Sequence, residues 1–141
     1  MKHFVVYHNP ETMGYDARTI EGFGILTTKS VAEAVGSRIW VITGRGAPRA
    51  YSLVQTFIAE RAGPHPEDPT LNCAEASTGT AYRPEIQLNK LGWFPAFFSL
   101  MGHFGLGYQR LNEVRFINAL EELDRRFVNS RSPLKRRRPA Q

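Results

Sequence analysis

Between Arg38 and Arg61 the chain reads RIWVITGRGAPRAYSLVQTFIAER, two apolar runs joined by glycine, proline and arginine. Alternation along Arg38–Thr43 puts Ile39, Val41 and Thr43 on one face, with Trp40 and Ile42 on the other. Along the second run, Tyr51, Leu53, Gln55 and Phe57 oppose Ser52, Val54, Thr56 and Ile58. Both faces of both runs are largely apolar, as in strands covered on two sides. The pattern predicts a long hairpin. Its second strand, Arg49–Arg61, would span roughly 40 Å if straight, so it is expected to bend through a bulge and serve two sides of a barrel.

The same reading extends outward. Lys2–His8 is β-branched and aromatic and predicts an opening strand, stopped by Asn9-Pro10. Glu11–Glu21 shows no clean period and predicts a loop with a helical turn, and Gly22–Lys29 predicts a second strand. Ser30 with Glu33 forms a capping box, predicting a helix of about two turns closed by Gly36. Ala62–Ala81 is rich in proline and small polar residues and predicts a loop, with a short strand at Leu71–Glu75. Tyr82–Leu88 predicts a strand that Pro84 confines to an edge or bulge. Phe94, Phe97, Phe98 and Met101 keep helical spacing within Leu91–Met101. Asn112 is expected to cap a closing helix to about Phe127, with Val114, Ile117, Leu120, Leu123 and Phe127 inward and Glu121, Glu122 and Asp124 wet.

Length and composition keep the picture simple. The chain of 141 residues, 42% hydrophobic and 22% charged, suits one globular domain. The net charge of +5 is confined to residues 128–141, where Arg131, Lys135, Arg136, Arg137 and Arg138 meet no acid; the other 13 basic and 13 acidic residues cancel. The expectation is one domain over 1–127 and a disordered basic tail over 128–141, able to touch phosphates. No apolar run reaches the roughly 18 residues of a membrane span. Met1–Pro10 is too short and polar for a signal peptide, and Cys73 is the only cysteine. Both point to the cytoplasm.

Candidate chemistry narrows next. His3, His8, His65 and His103 stand far apart beside one cysteine, so neither a metal site nor a cofactor is expected. No phosphate loop, dinucleotide fingerprint or serine elbow occurs. His8 and His103 could act as acid and base in a metal-free ribonuclease, with Lys29, Arg45 or Arg49 steadying the phosphorane. A third class is a protein-interaction module using Leu91–Tyr108 as an apolar docking surface. The reading that uses most of the sequence is base binding. Tyr7, Trp40, Trp93 and Tyr108 offer rings for stacking, and His8, Asn9, Thr43 and Gln109 offer polar edges. Lys29, Arg45, Arg49, Lys90 and Arg110 would contact phosphates; no acid lies between Glu33 and Glu60, which makes the hairpin turn a basic patch.

The opening strand ending in YHNPE resembles the first strand of EVE domains, with His8-Asn9 where the family usually has Lys-Ser, and Phe4 or Tyr7 in place of its early tryptophan. VGSRIWVITGRGAPRAYSLVQTFIAER is similar to the central strand pair of PUA-like folds, and LGWFPAFF…GYQRL to their last strand and closing helix. The resemblance covers residues 3–127. It implies an α+β fold: a small mixed, mostly antiparallel PUA-like β-barrel with flanking short helices and a C-terminal helix. It also implies a nucleic-acid reader, of DNA or RNA, that holds a modified or flipped base in an aromatic-lined pocket without catalysis. Related YTH and ASCH domains are small barrels of the same kind, and such modules occur fused to nucleases in modification-dependent restriction, so a nuclease partner is implied.

Overall fold

The computed structural model describes residues 1–8 and 22–130; the expected loop over Glu11–Glu21 and the tail from Arg131 lie outside them. Strands β1 (His3–His8), β2 (Phe23–Thr27), β3 (Arg38–Arg45) and β4 (Ala50–Ile58) come first. They are followed by β5 (Arg61–His65), β6 (Asp68–Ala76) and β7 (Thr80–Gln87). Helix α1 (Phe94–Leu100), a 3-10 turn at Gly102–Phe104, β8 (Tyr108–Leu111) and helix α2 (Val114–Ser130) complete the order.

Five strands form one sheet in the order β7-β4-β3-β1-β8, and three form another in the order β2-β6-β5. Among the described residues only β1 and β3 run parallel, from His3 opposite Arg38 to His8 opposite Thr43. The molecule is therefore α+β and layered. One face of the larger sheet (Phe4, Val6, Ile39, Val41, Phe57) packs on Ile25, Ala74 and Ala76 of the smaller sheet. The other face (Val5, Trp40, Ile42, Leu53) packs on Phe94, Phe97, Phe116 and Leu120 of the helices. This double covering is why β1 and β3 carry apolar residues on both sides. Among the described residues the two sheets do not close into a barrel through strand pairing.

The predicted hairpin is present, with Arg38 opposite Ile58 and a register shift between Val41 and Ile42. Its second strand is not continuous. At Ala59 the backbone N–H still donates to the Ser37 carbonyl at 3.0 Å, whereas the Glu60 N–H donates to the Glu75 carbonyl at 2.8 Å. The chain thus changes sheets at one peptide, and Arg61 opens β5.

Four expectations change. The capping box at Ser30 builds no helix: Ser30 Oγ accepts from the Ala32 N–H at 3.3 Å, two successive turns follow, and Gly36 has φ +82°. Glu33 turns instead to Lys2 at 3.1 Å and Arg110 at 3.5 Å. Burial of Val31 and Ala34 between the sheets outweighs the weak pull of so short a helix. Second, the expected loop over Ala62–Ala81 is largely the β5–β6 hairpin. Pro64 is tolerated because β5 is an edge strand, where a missing N–H breaks little; Pro66 falls in the turn, and Pro69 lies in β6 before the stretch, residues 72–76, that pairs with β2. Pro84 likewise sits in β7, at the other sheet's edge beside a register shift. Third, α2 starts after Glu113, whose carbonyl accepts from Ile117 at 3.1 Å, so Glu113 rather than Asn112 stands at the cap; the helix continues to Ser130. Fourth, Asp124 is not on a wet face. It accepts from the buried Tyr82 hydroxyl at 2.7 Å and from Arg38 at 3.2 Å. Among the described residues no helix is long and apolar enough to cross a membrane.

Candidate functional site

Strand alternation sorts the candidate ligand residues onto opposite faces of the larger sheet. Trp40 faces the helices and is fully buried; its Nε1 donates to His3 Nδ1 at 3.1 Å, and Arg38 lies over its ring at 4.5 Å. Trp93 belongs to the same layer, with ring contacts to Phe97 at 5.5 Å and Phe116 at 6.3 Å. Tyr7 stacks on Phe104 at 5.3 Å. Gln109, half-buried opposite Val5, shares that side by register. His8, Thr43 and Tyr108 lie on the side facing the smaller sheet. Thr43 Oγ1 donates to the His8 carbonyl at 2.9 Å, which fixes the end of β1 to β3. Tyr108 stacks on Phe4 at 5.0 Å; among the described residues its buried hydroxyl has no hydrogen-bond partner, and burial pushes its pKa up to about 12. Asn9 lies outside the described residues. Trp93, Tyr108 and His8 therefore do not converge, because their strands and helix present them to different layers.

A cleft does form at the end of β1. It measures about 230 Å³ and opens between the two sheets. Val6 and Val41 face it from the larger sheet, and Gly24 to Thr28 with Leu71 from the smaller. His8, 6% exposed, stands in its wall, with Leu106 and Gly107 along a lip that the Tyr7 N–H ties to the Gly107 carbonyl at 2.8 Å. Among the described residues the walls are largely aliphatic, with Tyr7, His8, Thr27 and Thr28 as the residues that carry polar side chains. Such a cleft can hold a small flat group by apolar contact and read its edge by hydrogen bonds.

The candidate phosphate contacts do not form one patch. Arg45 donates to Glu85 at 2.8 Å, Arg49 Nη1 donates to the Gly44 carbonyl at 3.2 Å, and Arg110 pairs with Glu33. The hairpin lacks acids along the chain, but Glu85 reaches it from β7, the neighbour of β4. Lys29 is exposed and follows Thr28 at the cleft rim, while Lys90 is exposed next to Asn89, whose side chain binds the backbone of Tyr51 and Arg49.

His103 is also apart from His8. It is exposed in the 3-10 turn, flat on Phe98 with centroids 4.4 Å apart and planes 3° from parallel. The two imidazoles face different layers, so an acid–base pair is not assembled. The supposed docking surface is mostly interior: Phe94, Phe97, Met101, Phe104 and Tyr108 are buried, with Leu100 and Leu106 exposed.

A larger cleft of about 460 Å³, which sequence reading passed over, lies on the smaller sheet, where Arg61, His65, Cys73, Glu75 and Ser77 meet. Its charges answer one another: Glu75 accepts from Arg61 at 3.2 Å. Burial, reinforced by Glu75, pushes the Cys73 thiol up, which disfavours the nucleophilic thiolate. The even spacing of Arg61 with His65 (i, i+4) and of Cys73 with Glu75 (i, i+2) was the available signal, hidden while this stretch read as a loop. Among the described residues no three His, Cys, Asp or Glu side chains group to hold a metal ion. No family model, curated protein or solved structure matches this chain.

Proposed function

We propose that this chain is a nucleic-acid-binding module that takes a single base, modified or flipped out of its stack, into the cleft at the end of β1. The observation that carries this reading is the cleft itself, about 230 Å³ with buried His8 in its wall. That is below the roughly 300–1,000 Å³ of sites for drug-sized ligands, a scale that suits one flat ring. In this reading Val6, Val41, Leu26 and Leu71 enclose the base and exclude water. His8, Thr27 and Thr28 read its hydrogen-bonding edge, and Lys29 meets the adjoining phosphate. The paired sheets then correspond to a PUA-like barrel of EVE type with an aliphatic rather than aromatic pocket. The basic residues beyond Ser130 supply nonspecific phosphate attraction, and the module works in the cytoplasm beside a nuclease.

The test is binding of labelled oligonucleotides, single-stranded and duplex, with and without base modifications, at low salt where phosphate contacts are strongest. The native chain should prefer one modified base. His8→Ala should lose that preference by about tenfold, the equivalent of roughly 1.4 kcal/mol, while residual salt-sensitive binding persists. Failure of every oligonucleotide to bind would remove the proposal.

A further inference from the structure

Gly102, His103 and Phe104 have φ of +59°, +57° and +63°, so a full turn of chain is left-handed. L residues resist this region, and runs of it are rare. The turn is closed by hydrogen bonds from Phe104 N–H to the Met101 carbonyl and Gly105 N–H to the Gly102 carbonyl, each 3.0 Å. Gly102 fits the conformation without strain. Phe104 is explained by its ring, which is buried among Tyr7, Tyr51, Phe97 and Phe98. The His103 side chain is exposed, where a glycine would relieve the backbone, and its ring contact is to Phe98.

What the turn achieves is to lay the imidazole flat on Phe98. Phe98 in turn stacks on buried Phe94 at 5.7 Å and 26°. Phe94, Phe98 and His103 thus form a pile of rings running from the core to the surface and ending in an exposed imidazole. The same loop continues into Leu106 and Gly107, the lip of the cleft at β1. Tyr51, 5.0 Å from Phe98, donates its backbone N–H to the side chain of Asn89, which precedes Lys90. Lys90, exposed, is thereby linked through Asn89 and Tyr51 to the flank of the pile, a cation of the kind a phosphodiester chain needs.

We infer that His103 is a stacking platform for a second, unpaired base of a single-stranded nucleic acid whose first base is held in the cleft. This rests on the nucleic-acid reading above. The left-handed turn sets the ring's orientation before the ligand arrives, and Phe98 backs it so that no side-chain order is lost on binding. Sequence tolerance is expected, because every base has a flat face.

The experiment uses the full chain and a fluorescent single strand of about 12 nucleotides, compared with an abasic strand of equal length. His103→Gly keeps the left-handed turn and removes the ring. It should melt at or above the native temperature yet bind the strand about 5- to 150-fold more weakly, the span expected for one lost stacking contact. His103→Phe should restore binding, and the abasic strand should bind native and His103→Gly proteins alike. Native affinity in His103→Gly, or no rescue by His103→Phe, would overturn the platform. If His8→Ala loses base preference while His103→Gly binds as the native does, only the platform falls; if the native chain binds no strand, both readings fall.

Discussion

Trp40 Nε1 donates to His3 Nδ1 at 3.1 Å, so that nitrogen must stay unprotonated, and His3 Nε2 faces Glu121 at 3.9 Å. Burial lowers the His3 pKa below its usual 6.5, and Arg38 and the amino terminus add to this while Glu121 opposes it. The folded state therefore binds fewer protons than the unfolded chain as pH falls past 6.5, and stability is lost from there down to the depressed folded value. Urea midpoints should drop between pH 7 and pH 5 in the native protein and drop less in His3→Gln, which accepts a hydrogen bond without titrating. Equal slopes in both would exclude this origin. His3 was one of four scattered histidines in the sequence, with nothing to mark it. Its role depends on Trp40, 37 residues away, and only parallel pairing of β1 with β3 brings them together. His8 ends the apolar strand β1, as its place before Asn9-Pro10 implies, but it is buried at 6% exposure rather than open to solvent.

The elements were read best where periodicity is strong and worst where local chemistry competes with packing. The β3–β4 hairpin, β1, β2, β7, α1 and α2 follow from apolar spacing. The Ser30 capping box failed because Lys2 and Arg110 reach Glu33, and the β5–β6 hairpin was hidden by prolines that an edge strand, a turn and the start of β6, ahead of its pairing with β2, accept. Helix α2 is held to the larger sheet by more than apolar contact: Asp124 accepts from both Tyr82 and Arg38, and Tyr82 packs edge-on against Phe127 at 4.9 Å. Removing the shared acceptor in Asp124→Ala should destabilise the fold by about 1–3 kcal/mol, more than the roughly 0.5–1.5 kcal/mol expected for Tyr82→Phe. The double variant should fall short of the sum, since both changes break one network. Denaturant titration checks this, and full additivity would show that the two contacts are independent.

On the scale of the whole molecule, charge and shape separate. The five basic residues of 131–141 stand against a balanced remainder. If they supply phosphate attraction, a chain ending at Ser130 should bind single strands more weakly. Its log-affinity against log-salt slope should be shallower by up to about 3.5, with base preference unchanged. An unchanged slope would mean these residues do not engage the strand. The α+β class, the central hairpin and the placement of charge were determined by the sequence alone, because each rests on near neighbours along the chain. Which rings are core, which arginines are paired and where a cavity opens were decided by the tertiary structure. A strand presents alternate residues to opposite layers, so Trp40 and Tyr108 parted although both were plausible pocket rings. Glu85 neutralised a turn that is acid-free only along the chain. The left-handed turn beneath His103 emerged the same way, since burial of Phe104 and Phe98 holds a backbone that local preference resists.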